Sequence, residues 1–224
     1  RSFHVTGVQT CALPIFGILL LALVLLATFL GPVLYPVDPY SMVDVPFTPP
    51  LGDYAPFGTD YLGRDILAGI IAGGKATLAV GGTAAAISVG IGILIGSLAG
   101  YFGGVMDAAL MKVTEFFQIL PPLLLAMVLV TIFGASLPII TVSIGAVAWP
   151  QVARLARAEF LRIRKLDYVA AARTSGARDA YLIFRVILPG ALPPLVVAAG
   201  LAVGTAILFE AGLSFLGLGD PNTM

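Results

Sequence analysis

Five long apolar stretches, joined by segments that are short or strongly polar, set the plan of this 224-residue chain. Residues 16–35 form the first, an uncharged run about as long as a bilayer is thick. The others are 76–101, about 105–133, about 139–153 and about 191–213. The second carries no charge, and the fifth carries only Glu210. A helix satisfies its own backbone in lipid, where no water can. The pattern therefore predicts an all-α, polytopic transmembrane helical bundle with five spans present. In the second span Gly92, Gly96 and Gly100 recur every four residues, so one helix face carries the smallest side chain and permits close helix approach.

The polar connections are uneven. Residues 36–75 form a loop rich in Pro, Asp and Tyr, whereas YFGGVMD (101–107) and GASLP (134–138) are tight turns. After the fourth span comes a basic segment, then DYVAAARTSGARDAYLIFRVILPGALPP at 167–194. Asp167 is placed as a helix N-cap, and YVAAARTS after it is helix-forming. Gly176 sits where a C-cap glycine would let the chain reverse. A second short helix is expected from about Arg178, with Tyr181, Phe184, Ile187 and Leu188 along one face and Pro189 ending it. Two short helices hinged at a glycine make a knob for docking a soluble partner. An amphipathic loop at the membrane surface is the plainer alternative.

Charge gives these segments a direction. Charged residues are 11% of the chain, against roughly 25% in a soluble domain, and 59% of residues are hydrophobic. Such a composition belongs in a membrane. The net charge of +0 conceals an asymmetry: eight of the twelve Lys and Arg residues lie between Arg154 and Arg185. Between Asp38 and Asp65 lie five acids and one base, Arg64. The positive-inside rule puts the first region in the cytoplasm and the second outside. The basic run is too short, and too closely flanked by spans, for nucleic-acid binding.

The lone His4 and Cys11 both fall in the first sixteen residues. There VTGVQTCALPI (5–15) resembles the translation of a common sequencing adapter, so residues 1–15 carry no weight in the functional reading. Without them the chain has no Cys and no His, which leaves no disulfide and no Cys or His metal ligand; no metal site is expected. The natural N-terminus is then expected to lie beyond this sequence. A sixth span is likewise expected after Met224.

Residues 167–189 also carry a resemblance. Ala171, Ala172, Gly176, Leu188 and Pro189 match the spacing of the EAA loop of ABC-importer permeases, with Ala170 in place of the motif Glu and Val186 in place of Ile. Within residues 56–78, Gly58, Thr59, Asp60, Gly63, Arg64 and Asp65 fill a G-T-D-x-x-G-R-D pattern similar to that of dipeptide and oligopeptide permeases. The tail AILFEAGLSFLGLG (206–219), with Glu210, resembles the same family. The chain is thus identified as similar to the dipeptide, oligopeptide and nickel permeases of ABC importers.

That resemblance implies a type I importer permease fold: first span 16–35, external loop 36–75, and a permease domain over 76–224 with its coupling loop at 167–189. It implies a bacterial inner-membrane subunit that forms, with a second homologous permease, a path for dipeptides, oligopeptides, nickel or a related ligand. Two cytoplasmic ATPases, carrying ATP and Mg, would drive it, and an external substrate-binding protein would deliver cargo. This subunit would bind no cofactor and catalyse no covalent chemistry. Tyr168, Ala170, Ala171, Ala172, Gly176, Leu188 and Pro189 would couple it to the ATPases.

Other residues leave two readings open. Asp60, Arg64 and Asp65 either cap the following helix and pair locally or contact substrate. Glu210 either lines the path or is hydrogen-bonded between helices. Lys112 and Glu115, three apart near the start of the third span, are expected to pair and snorkel. Trp149 and Pro150 are placed near the inner interface. The chain has no P-loop. An ion-coupled secondary transporter, which would take up ligand without an ATPase, and a membrane scaffold remain the alternatives.

Overall fold

The computed structural model describes residues 7–51 and 55–219; His4 and the first six residues of the adapter-like head lie outside them. Eight α-helices are present among the described residues: α1 (Gly7–Leu34), α2 (Ile66–Phe102), α3 (Gly104–Ile119), α4 (Pro122–Phe133), α5 (Leu137–Ile163), α6 (Asp167–Thr174), α7 (Asp179–Tyr181) and α8 (Leu188–Leu213). Six residues in π-helical conformation, Leu182–Ile187, join α7 to α8, and Ser214–Leu218 repeat that conformation at the end of α8. Helices α1, α2, α5 and the run Asp179–Leu218 are each long and apolar enough to cross a membrane.

The third expected span is broken. α3 and α4 qualify only as a pair, and they meet at 83°. Two consecutive prolines explain the break. Pro121 and Pro122 have no N–H to donate, and Leu120 before them adopts extended backbone (φ −80°, ψ 134°). α5 differs from expectation in the other direction. It carries Pro150 without breaking and runs ten residues past 153, so the basic segment is its last turns rather than a separate connection.

The chain divides into two compact units, residues 1–76 and 77–224. In the first, α2 starts at Ile66, ten residues earlier than the charge pattern indicates. Asp65 is its N-cap, accepting hydrogen bonds from the backbone N–H of Leu67 (2.8 Å) and Ala68 (3.3 Å). Gly31 of α1 lies on Ile71, and Gly74 on Thr28; a Cβ at either would come within 2.7 Å and 2.6 Å of those side chains. These glycines belong to a close helix–helix contact, although Gly73, Gly74 and Lys75 look like loop residues in the sequence.

In the second unit α5 is the hub. Val152, Ala153, Ala156 and Phe160 fill the space left by Gly92, Gly96 and Gly100 of α2, as the four-residue glycine repeat predicts. An added Cβ at Gly92 or Gly100 would lie 2.6 Å from Val152 or Phe160. Gly145 of α5 answers with the reverse contact, against Ile87 of α2. Two buried clusters flank this seam. One gathers Val80, Ala84, Ala126, Val130, Ile140, Ile144, Ala206 and Leu213. The other gathers Tyr101, Phe160, Ile163, Val169, Leu182, Ile187 and Leu195 and lies under the short helices. Trp149 is buried, with its ring edge-on to Phe117 at 5.4 Å, so it packs against protein.

Candidate functional site

The hinge at Gly176 forms as expected from the sequence. α6 ends at Thr174, and Gly176 takes φ +86°. The N–H of Ala177 donates to the carbonyl of Ala172 (3.2 Å), and that of Gly176 to Arg173 (3.0 Å). This six-to-one and five-to-two pair of bonds is the Schellman arrangement, which satisfies the last helical carbonyls when the chain turns left-handed. Ala172 and Ala177, the two residues that bracket it, both pack on the buried cluster below. Nothing lies within 4 Å of a Cβ built at Gly176, so the glycine is needed for its backbone conformation and not for space.

The helix ends around it depart from the expectations. Asp167 is the first helical residue; Leu166 is the N-cap, and no side chain caps the helix. A carboxylate in the first turn still favours the helix dipole. Pro189 does not end the second helix, because Leu182–Ile187 is a π-helical run that carries α7 directly into α8. A wider turn just upstream relieves the clash between a proline ring and the carbonyl four residues before it. The same extra residue per turn rotates the buried face. Leu182, Ile183 and Ile187 go inside, whereas Tyr181 and Phe184, assigned to that face by helical spacing, are 57% and 61% exposed.

Of the residues expected to couple, Tyr168, Ala170, Ala171, Gly176 and Pro189 are exposed, and Ala172 and Leu188 are half-buried. They form an outward surface with an open depression of about 540 Å³ bounded by Ala172, Ser175, Gly176, Ala177, Arg178 and Tyr181. Beneath it is a network with no signature in the sequence. The Tyr101 hydroxyl, at the end of α2, donates to Asp179 Oδ1 of α7. It also accepts from Arg173 Nη2 of α6 at 3.1 Å, and the Arg173 guanidinium carbon lies 5.7 Å from the Tyr101 ring centroid. One phenol thus ties both short helices to α2.

The basic run is a set of braces. Arg164 Nη1 donates to the carbonyls of Gly100 (3.0 Å) and Tyr101 (2.7 Å), closing the C-terminus of α2. Arg157 forks onto both oxygens of Asp107 in α3, with Nη2 to Oδ2 at 2.6 Å. Arg154 Nη1 donates to Gln118 Oε1 at 2.9 Å. Asp107, the only charge in the 101–107 turn, faces the excess of Arg in the 154–164 segment, but no local pattern pairs it with Arg157. Lys112 and Glu115 form no ion pair with each other or with any other described residue; both are exposed on α3.

The G-T-D-x-x-G-R-D segment folds within the first unit. Gly58 and Gly63 take φ +81° and +74°. Thr59 is buried, accepting from Thr48 N (2.9 Å) and donating to the Val45 carbonyl (2.7 Å). Asp60 Oδ1 accepts from the N–H of Leu62 (2.7 Å) and Arg64 (2.9 Å). Arg64 lies over the Tyr40 ring at 5.9 Å, with no ion pair to either aspartate. The Tyr35 hydroxyl donates to Asp65 Oδ2, and that carboxylate holds the phenol's pKa up at about 12. Asp65 thus caps α2, whereas Asp60 closes a turn within the loop before it. Glu210 accepts from Ser214 Oγ on its own helix (3.1 Å), not from a neighbouring one. It lies 22 residues from Leu188 along α8, or ~33 Å at 1.5 Å per residue.

A multi-pass helical bundle that presents a hinged pair of helices at its basic end is built as a transport permease. The family described as binding-protein-dependent transport system inner membrane component matches residues 92–223. A protein named as a putative peptide permease in Brucella abortus is 38% identical over 209 residues, 92% of this chain and 68% of the relative. An oligopeptide transport system permease, OppC of Haemophilus influenzae, is 36% identical over 211 residues, 93% of this chain and 68% of that one. The dipeptide transport system permease DppC of Bacillus subtilis is 36% identical over 207 residues, covering 91% and 63%. The chain belongs to this family of inner membrane components.

Proposed function

We propose that this chain is a permease subunit of a bacterial ABC importer for dipeptides or oligopeptides. The observation that carries the reading is the Schellman-hinged pair α6–α7, exposed on one side and tied on the other to α2 through Tyr101. In this reading the pair docks onto a cytoplasmic ATPase, and a second permease completes the path. ATP and Mg act on the ATPases, and an external binding protein supplies the cargo. Peptide as cargo rests on the names of the relatives. Closure of the ATPases pushes α6 and α7 as one rigid piece. Because Tyr101, Asp179 and Arg173 lock that piece to α2, and glycines seat α2 on α5, the push reaches the spans and rocks them between inward-open and outward-open states.

Capture of the subunit in detergent, coexpressed with its neighbouring permease and candidate ATPases, tests this directly. An ATPase should copurify, and Gly176→Asp should weaken its retention while leaving membrane insertion intact. An inserted, folded subunit that retains no ATPase would favour an ion-driven transporter or a scaffold.

A further inference from the structure

The break between α3 and α4, the proline in α5 and one face of α8 meet at a cavity of about 580 Å³, within the range of small-ligand sites. Three helical carbonyls there lose the N–H that would normally reach them. Pro121 and Pro122 cannot donate to Phe117 and Gln118, nor can Pro150 donate to Ala146. Interrupted backbone at membrane depth is tolerated where it is buried in protein or lines a water-filled cavity. Here Gln118, Pro122, Pro150 and Gln151 all line one.

Apart from Thr205, whose hydroxyl donates to the Leu201 carbonyl of its own helix, the rest of the wall is apolar, with Leu201 and Phe209 from α8, and among the described residues none of its lining side chains is charged. Two primary amides face this space. Gln118 Oε1 is held by Arg154, which leaves its Nε2 hydrogens to donate elsewhere. Gln151 is exposed and has no hydrogen-bond partner among the described residues, so it both donates and accepts. An amide matches a peptide bond in donor, acceptor and neutrality. Apolar walls do not sort charged side chains by the sign of their charge.

We propose that this cavity is the cargo path on this subunit, where Gln118 and Gln151 engage the peptide main chain while leaving side-chain identity unread. The inference rests on the peptide-permease reading. Its test is uptake by the assembled transporter in proteoliposomes, using trialanine and two tripeptides centred on lysine and on glutamate. Gln151→Glu should raise the lysine-to-glutamate uptake ratio by roughly thirtyfold, since one charge a few ångströms from the path changes each peptide about fivefold in opposite directions. Gln151→Lys should lower it by a similar factor. Opposite shifts from one exposed position cannot come from misfolding. Replacing both glutamines with Leu should cut trialanine uptake roughly tenfold, two hydrogen bonds' worth, with ATPase copurification retained. Wild-type ratios in both charged variants would overturn the cavity assignment alone. Absence of ATP-dependent uptake of all three peptides by the wild type would overturn the peptide reading, and this proposal with it.

Discussion

Helices α1 and α5 are both long and apolar enough to span a membrane, yet the protein uses them in opposite ways. Only 11% of an 18-residue apolar stretch of α1 is buried, against 61% of the corresponding stretch of α5. The more uniformly apolar helix is the less buried one. In water that order would be reversed, but lipid solvates Leu and Val as well as a protein interior does. What buries a helix here is small residues that admit a neighbour and polar ties that hold it. α5 has both: Gly145, Ala153 and Ala156 at its contacts, and Arg154, Arg157 and Arg164 as braces along its last turns and just past its end. α1 is lined with exposed Leu20, Leu23, Leu26 and Val33.

The contrast breaks most visibly at the glycine seam. Gly96→Leu should remove about 3 kcal/mol or more of stability, since even a Cβ there would sit 2.6 Å from that of Ala156. Thermal unfolding in detergent measures this, and Leu20→Ala on the exposed side of α1 should stay within about 0.5 kcal/mol of wild type. The braces come next. Asp107→Asn or Arg157→Leu should each cost about 1.5–3 kcal/mol, as for hydrogen bonds to charged groups. A double-mutant cycle should show the losses to be strongly non-additive.

At the hinge, Gly176→Ala should cost about 1–2 kcal/mol of local stability, because the side chain has room but the backbone does not suit it. Gly176→Asn, which tolerates a positive φ, should recover most of that. Hydrogen exchange at Gly176 and Ala177 would report both. The smallest effect lies in the first unit and depends on pH. The Tyr35 phenol is raised from 10.0 to about 12 in the folded state. Its contribution is therefore fully present below pH 10 and lost as pH rises through about 12. Tyr35→Phe should abolish that alkaline component of the unfolding profile.

The spans were legible in the sequence because hydropathy reports solvation, and solvation decides which segments enter lipid. The seam at Gly92, Gly96 and Gly100 was legible because a repeat of the smallest side chain has one physical use there. The hinge at Gly176 was legible because a positive φ selects glycine. Other features depended on partners distant in the chain. Tyr101, Asp179 and Arg173 are dispersed over 78 positions, and no local pattern joins them. The π-helical run at Leu182–Ile187 replaced the expected helix end because Pro189 can be absorbed by widening the turn before it. Asp65 was visible as a cap, but Gly73 and Gly74 hid the early start of α2, since glycine reads as loop until a neighbour is seen to need the space.

The most direct test measures ATP hydrolysis and uptake of labelled trialanine together, in the same proteoliposomes, for the wild-type transporter and for Tyr101→Phe in this subunit. The variant keeps the ring and its packing but loses the bonds to Asp179 and Arg173. Uptake by the wild type should require ATP, and the variant should hydrolyse ATP while moving several-fold fewer peptides per ATP. Uptake driven by an ion gradient without ATP, or an unchanged ratio in the variant, would contradict the coupling route from α6 and α7 through Tyr101 into the spans.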